Sequence, residues 1–474
     1  MAKLHPMLMP IDAAAPFNRV RAAHLLQRGA FGGTSDEIDQ VMKLGLIRAI
    51  EQLLDFPDAN ADEQSKTDVP DLSGISDYPR TFAERQAMLK NLSAEERNML
   101  VQKLQAGNRQ ATFATIDWWM RRMTRGSYPL QEKLTLFWHG HFTTSARDER
   151  SAWLMWQQNE TLRRNAAGNY RIFVKAVSRD PAMLDYLNNQ QNRKGRPNEN
   201  YARELMELFT LGIGNYTEND IKEAARAFTG WGHDGEEYLF RKNFHDDGQK
   251  TFFGKTGNFG GDNIIDIILA RETSGDYIAG KFLKFFVGEN IDPAVAHALG
   301  DILRENDYEL RPLLRTLFAS KLFFDAAYVG TQIKSPVQLV VGTGRIASVN
   351  KPRRVRTMQA MEAMGQVPFM PPNVRGWPGG RIWINTSTLL VRYNTAVDFI
   401  GSIDDKALVP KGIARQPIAL VDYWVDRFIQ RPIDEDKRQV LINQLGKNLG
   451  EKLETSGIRR MVELVVSMPE YQLC

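Results

Sequence analysis

Ser93-Ala94-Glu95-Glu96-Arg97-Asn98-Met99-Leu100-Val101-Gln102-Lys103-Leu104 opens on a hydroxyl and carries a carboxylate three residues later. In a capping box of this kind, each side chain satisfies the other residue's free backbone N–H at the first turn of a helix. Behind it, Leu100, Val101 and Leu104 recur three and four apart, the spacing of one helical face. Thr34-Ser35-Asp36-Glu37 repeats the pattern ahead of Ile38, Val41 and Met42. Thr217-Glu218-Asn219-Asp220 is a weaker version ahead of Ile221, Ala224, Ala225 and Phe228. Gly32-Gly33, Gly212 and Gly230 fall near the boundaries, where helices stop or loops turn. The expected class is mainly α, a large multi-helix body with residues 1–474 forming one domain.

Three stretches interrupt the helical pattern. Residues 56–80 are polar and proline-dotted, and read as a surface loop. Within 236–262, Tyr238-Leu239-Phe240 and Thr251-Phe252-Phe253 flank His245-Asp246-Asp247-Gly248, whose Asp-Gly pair signals a small β-hairpin near 237–253. Residues 367–381 are rich in proline and glycine and hold Trp377, with Trp383 just beyond.

Over 474 residues, 61 basic and 57 acidic side chains leave a net charge of +4. So slight an excess gives no reason to expect nucleic acid as a partner. The single cysteine, Cys474, excludes an intramolecular disulfide and a cysteine zinc site. No apolar run approaches the roughly 18 residues a membrane span needs. Pro6, Pro10 and Asp12 break any apolar core near the N-terminus, so the chain as written is expected to carry no signal peptide and to be soluble and cytoplasmic.

Several constellations carry possible chemistry. The run from Gly248 to Thr256 ends like a phosphate-binding loop, but Gly248 and Gly254 are spaced one residue too far and Phe252-Phe253 crowd it, so nucleotide binding is set aside. His139 and His141 flank Gly140 inside Phe137-Trp138 and Phe142. On an unbroken helix, residues two apart point about 200° away from each other, so a shared ion requires the helix to stop at Gly140. Otherwise one imidazole caps carbonyls and the other packs in core. Asn200, Arg203, Glu204 and Glu207 make one helical stripe fit for acid–base work or for a divalent ion, or simply a solvated face with a Glu199–Arg203 pair. Arg193, Lys194 and Arg196 gather before that helix, as an anion site or a solvated basic loop. His245, Asp246 and Lys250 share the hairpin tip, and His233-Asp234 follows Gly230-Trp231-Gly232 on a second loop. No Gly-x-Ser-x-Gly elbow or His-Glu-x-x-His pair is present.

In order along the chain, Ala23-His24-Leu25-Leu26-Gln27-Arg28-Gly29-Ala30-Phe31-Gly32, residues 137–142, Pro181-Ala182-Met183-Leu184 and residues 192–212, 224–231 and 245–251 resemble the bacterial domain of unknown function 1800 family. Ile333-Lys334-Ser335-Pro336, Pro371-Pro372-Asn373-Val374-Arg375-Gly376-Trp377-Pro378-Gly379-Gly380 and Trp383-Ile384-Asn385 complete the likeness. The resemblance implies a mainly helical protein. It also implies relatives that are often exported and often encoded beside a sulfatase- or phosphatase-like protein, a possible partner.

The resulting expectation is a metal-assisted hydrolase or related enzyme acting on an anionic substrate. His139, His141 and His245 would hold a divalent metal (zinc, iron, copper or manganese), with Glu204, Glu207 and Asp246 as catalytic carboxylates. Arg193, Lys194, Arg196, Asn200, Arg203, Lys250 and Trp377 would hold the substrate. The alternatives are a non-catalytic partner of a sulfatase-like protein or a glycan, docking through Trp377 and Trp383, and a copper or iron redox protein.

Overall fold

Glu37 N–H donates to Thr34 Oγ1 at 3.3 Å, and Thr34 N–H donates back to Glu37 Oε2 at 2.7 Å. Ser93 and Glu96 exchange the same pair at 2.9 and 3.2 Å, and Thr217 and Asp220 do likewise. A further box, Thr81 with Glu84, heads the helix Phe82–Leu89. Each such cap stabilises its helix by about 1 kcal/mol. These contacts come from a computed structural model that describes residues 4–12, 16–57, 68–149, 151–347, 354–413, 416–446 and 455–474. Part of the loop expected over 56–80 lies outside the described residues, and a short 3-10 turn, Ser73–Ile75, follows.

The architecture is mainly helical, with two small antiparallel strand pairs. One hydrophobic cluster gathers side chains from Leu8 to Phe324, and a second runs from Phe31 to Tyr471. The helix Pro129–His141 joins them, giving Leu130, Leu134, Phe137 and Trp138 to the first and Leu136 to the second. Trp138 is fully buried, and its indole N–H donates to Ala166 O at 2.8 Å, so its ring is desolvated without orphaning its one polar atom.

A third, small cluster of Ile75, Ala111 and Ala152 lies where three elements cross. Gly107 is required there, because a Cβ on it would stand 2.0 Å from Gly74 O. The helix opened by Ser93 runs from Ala94 to Arg125, 32 residues or roughly 48 Å, and is buried only from Ala111 onward. Its first half and the helix Phe82–Leu89, which has no buried residue, stand as an arm over the body. The apolar stripe of Leu100, Val101 and Leu104 is therefore only partly buried.

The β excursion departs from the expected pairing. Strand β2 (Tyr238–Phe240) pairs with β1 (Trp231–His233), and β3 (Lys250–Phe252) pairs with β4 (Lys255–Gly257). The Asp-Gly segment between β2 and β3 is pinned elsewhere. Arg226 holds the Asp246 carboxylate, and Lys250 Nζ turns inward to Asp246 O and Gly248 O at 2.6 and 3.0 Å. No helix among the described residues is long and apolar enough to cross a membrane.

Candidate active site

The helix Pro129–His141 does not stop at Gly140. A Cβ at Gly140 would make only an ordinary 3.7 Å contact with the Trp377 ring, and the helix continues through it. The two imidazoles consequently point to different surroundings. His139 Nε2 accepts the Phe369 backbone N–H at 3.1 Å among Trp119, Phe369 and Trp377. His141 Nε2–H donates to Phe209 O at 3.0 Å among Phe137, Trp138 and Phe142. His245 Nδ1–H donates to Thr229 O at 2.8 Å on the strand-bearing side. The three histidines do not share a coordination sphere, and no group of three or more His, Cys, Asp or Glu among the described residues could hold a metal ion.

Burial holds both His139 and His141 down to about 3, and His24 likewise. His297 moves the other way, held up by its hydrogen bond to Asp276. Imidazole carbon–proton spectra recorded from about pH 7.5 to 5 are expected to leave three signals unmoved while His297 titrates. Movement of the His139 or His141 signals through that range would contradict their desolvated, neutral state.

The expected carboxylate stripe is real but differently wound. The α-helix Asn200–Glu204 passes into a π-helix, Leu205–Thr210, whose free C-terminal carbonyls are met by side chains from other elements. Phe209 O accepts from His141 and from the Tyr170 hydroxyl at 2.5 Å, and Leu208 O accepts from Tyr277 at 2.7 Å. Glu204 and Glu207 are half-buried, with Glu204 raised by burial and then by Glu207. Glu207 accepts from Tyr216 Oη–H at 3.0 Å and from Arg375 at 3.3 Å, so the 367–381 loop links it to Trp377 and His139.

The remaining expected residues are committed locally. Arg203 pairs with Glu218 and Glu199, and Asn200 donates to Leu187 O. Arg193, Lys194 and Arg196 form an exposed turn, with the Arg193 guanidinium 4.6 Å from the Phe244 ring centroid. Asp246, held down to about 2 chiefly by Arg226, and buried Lys250 fix a turn. Trp377 is half-buried against His139, and Trp383 is buried, so the two indoles do not form an exposed docking pair.

The densest unspent chemistry lies under the arm, in a cleft of about 880 Å³. Glu149 ends the one-turn helix Ala146–Glu149, which is tied down by Ala146 N–H to Phe369 O at 2.8 Å. Its Oε2 is out of contact with solvent and has no hydrogen-bond partner. Burial, with Asp185 and Asp180 adding repulsion, pushes the carboxyl up to about 9, so it is neutral at physiological pH.

Asp185 sits on the helix Pro181–Tyr186, whose N-cap is Asp180. Burial raises Asp180 to about 7 against the hydrogen bonds it accepts from Met183 N–H and Gln158. His233 ends β1 with its side chain 1% exposed, while Asp185 is 37% exposed. The imidazole Nδ1 accepts Gly235 N–H at 3.0 Å, which leaves the proton on Nε2, 2.9 Å from Asp185 Oδ1. That contact is close but off the line of a hydrogen bond, so the pair is electrostatic in this geometry. Gly235 has φ +118°, and a Cβ there would meet Arg80 O at 2.5 Å, so glycine allows the arm to reach the imidazole. Phe82 N–H then donates to Asp234 O at 2.7 Å.

Arg80 closes the same cleft. Its guanidinium carbon lies 3.7 Å from the Trp153 ring centroid, and its Nη1 is buried without a partner. Trp153 Nε1 is buried and unpartnered as well. Buried polar atoms left unpaired cost about 1–3 kcal/mol each, so Arg80, Glu149 and Trp153 along one cleft offer unspent hydrogen-bonding capacity to a polar ligand. Arranged this way, a neutral carboxylic acid, a carboxylate braced by an imidazole and a free guanidinium N–H face one space. That is the equipment of acid–base chemistry on a substrate with an anionic group.

The fold is thus mainly helical, with a candidate site at the Glu149 cleft. A family model described as "Protein of unknown function (DUF1800)" matches residues 24–473, and the chain belongs to that family. No curated protein and no solved structure matches it.

Proposed function

We propose that the chain is an enzyme that performs general acid–base hydrolysis of an anionic substrate in the Glu149 cleft. The supporting observation is the Glu149 carboxyl, whose Oε2 is buried without a partner and whose pKa is pushed up to about 9 next to the Asp185–His233 pair. In this reading Asp185 takes a proton from water, whose oxygen bonds to the substrate's electrophilic centre. As the bond to the leaving group breaks, Glu149 passes its proton to the departing oxygen. His233 acts on Asp185 electrostatically, and the Arg80 guanidinium takes the anionic group.

The test is phenol release from phenyl sulfate, phenyl phosphate and phenyl glucuronide, whose poor leaving group needs the acid. Glu149 must be protonated to act, so turnover is expected below about pH 9 and to fall as pH rises through that value. No turnover of any of the three, or an alkaline limb unrelated to Glu149, would overturn the proposal. Repeating the assay with chelator, and then with added zinc, iron, copper or manganese, tests the metal-assisted form. Stable binding of a glycan or a sulfatase-like protein without turnover would move the function to that of a partner.

A further inference from the structure

The cleft has two unlike walls. One carries Arg80, Glu149, Asp185 and His233. The other, supplied mostly by the arm, presents Phe82, Met88, Leu89, Val101, Leu104 and Phe113, with Arg85 and Arg109 among them. Three of these are large hydrophobic side chains left open to solvent, Phe82 at 46%, Met88 at 37% and Phe113 at 50%. Helical apolar spacing ordinarily marks a face that packs on a core. Here the face lines a cleft beside an unpartnered buried guanidinium nitrogen.

We propose that the ligand is a free anionic amphiphile: an anionic head taken by the Arg80 guanidinium, and a hydrocarbon or aryl chain laid along Leu89, Val101, Leu104 and Phe113. The inference rests on the cleft being the substrate site and deepens that reading by naming the substrate class. The polar wall alone would serve a small anion, and the apolar wall alone would serve a neutral lipid. Their adjacency favours a molecule with both parts, because pockets combine apolar area for affinity with few polar groups for orientation. The neutral Glu149 carboxyl suits an oxygen at the junction of head and chain, since it can donate a hydrogen bond where a carboxylate would repel.

The probe is anilinonaphthalene sulfonate fluorescence with the full chain, displaced by decyl sulfate below its micelle concentration, by decanol or by inorganic sulfate. Decyl sulfate is expected to displace it at concentrations at least about tenfold lower than decanol or sulfate, a gap of about 1.4 kcal/mol. Leu104→Asn, at a partly exposed position, is expected to weaken decyl sulfate about tenfold while leaving the fold intact by circular dichroism. Arg80→Gln is expected to bring decyl sulfate down to decanol's affinity and to leave decanol unchanged. Equal displacement by all three compounds, or no effect of either variant, would overturn the proposal. So would capture on anionic phospholipid vesicles without binding of the monomer, which would make the surface a membrane contact. Glu149→Gln is expected to keep decyl sulfate binding. Loss of turnover in that variant with binding retained therefore separates a failure of the amphiphile inference from a failure of the acid–base reading.

Discussion

Replacing Glu149 with glutamine is expected to lower kcat on the best phenyl ester or glycoside by about 10²–10⁴-fold, the usual contribution of a positioned general acid. KM should change little, because an amide fills the same space and keeps the hydrogen-bonding character of the neutral acid. The alkaline limb near pH 9 should vanish with it, since Glu149 is the group that sets it. Asp185→Asn should cost a similar factor by removing the base. His233→Gln should cost less, because it acts only through Asp185.

Stability supplies an independent readout. A carboxyl whose folded pKa lies above its unfolded value favours the fold fully below the unfolded value. It then loses that contribution as pH climbs toward the folded one. Wild type therefore carries a rising penalty between roughly pH 4.5 and 9 that the glutamine variant lacks. The variant's melting temperature should gain on wild type across that window. A loss of kcat under threefold, or a melting difference that does not grow with pH, would remove Glu149 from the role.

Local chemistry written into a few adjacent residues was readable from sequence. Capping boxes at Thr34, Ser93 and Thr217 need only two side chains three apart, and each forms as expected. Properties set by distant partners were not. Glu149 sits in the run Arg147-Asp148-Glu149-Arg150, which reads as surface, and only the folded packing takes its Oε2 out of water. His233 drew notice on its loop, but nothing in the order of residues places Asp185 against it. His139 and His141 stood out for the opposite reason. Their aromatic neighbours look like a site, whereas the continuous helix sends one imidazole to Phe369 and the other to Phe209. The π-helix at Leu205 is equally silent in the sequence, as are the partners, Tyr170, His141 and Tyr277, that meet its last carbonyls from other elements. The stripe at Leu100, Val101 and Leu104 was legible as apolar, but that Val101 and Leu104 line the cleft was not.

The largest effect on stability is expected at Glu132. This buried carboxylate accepts Arg122 Nε at 2.9 Å, Arg163 Nε and Nη2 at 2.8 and 3.0 Å, and Trp119 Nε1 at 2.8 Å. Burial alone would raise it, but Arg163 and Arg122 outweigh that and hold it below its ordinary range. Glu132→Ala strands two guanidinium groups in the interior. Arg122 keeps Asp68, and Arg163 keeps Glu160 and Asn159, but the anion between them is lost. Removing one partner of a buried pair costs about 3–5 kcal/mol, against about 0–1 for an exposed pair such as Arg315 with Glu51. Urea titrations of Glu132→Ala and Glu51→Ala side by side should show that gap. The sign with pH follows from the depressed pKa: the contribution is complete above roughly pH 4.5 and is lost as pH falls through the folded value, so the two curves should converge in acid. The damage should also reach the cleft. Trp119 packs on His139 and Phe369, and Phe369 O holds the turn that carries Glu149, so Glu132→Ala should lower turnover even where the chain stays folded. A midpoint shift no larger than that of Glu51→Ala would mean that the helices Ala94–Arg125, Pro129–His141 and Ala152–Arg164 are held by their apolar contacts alone.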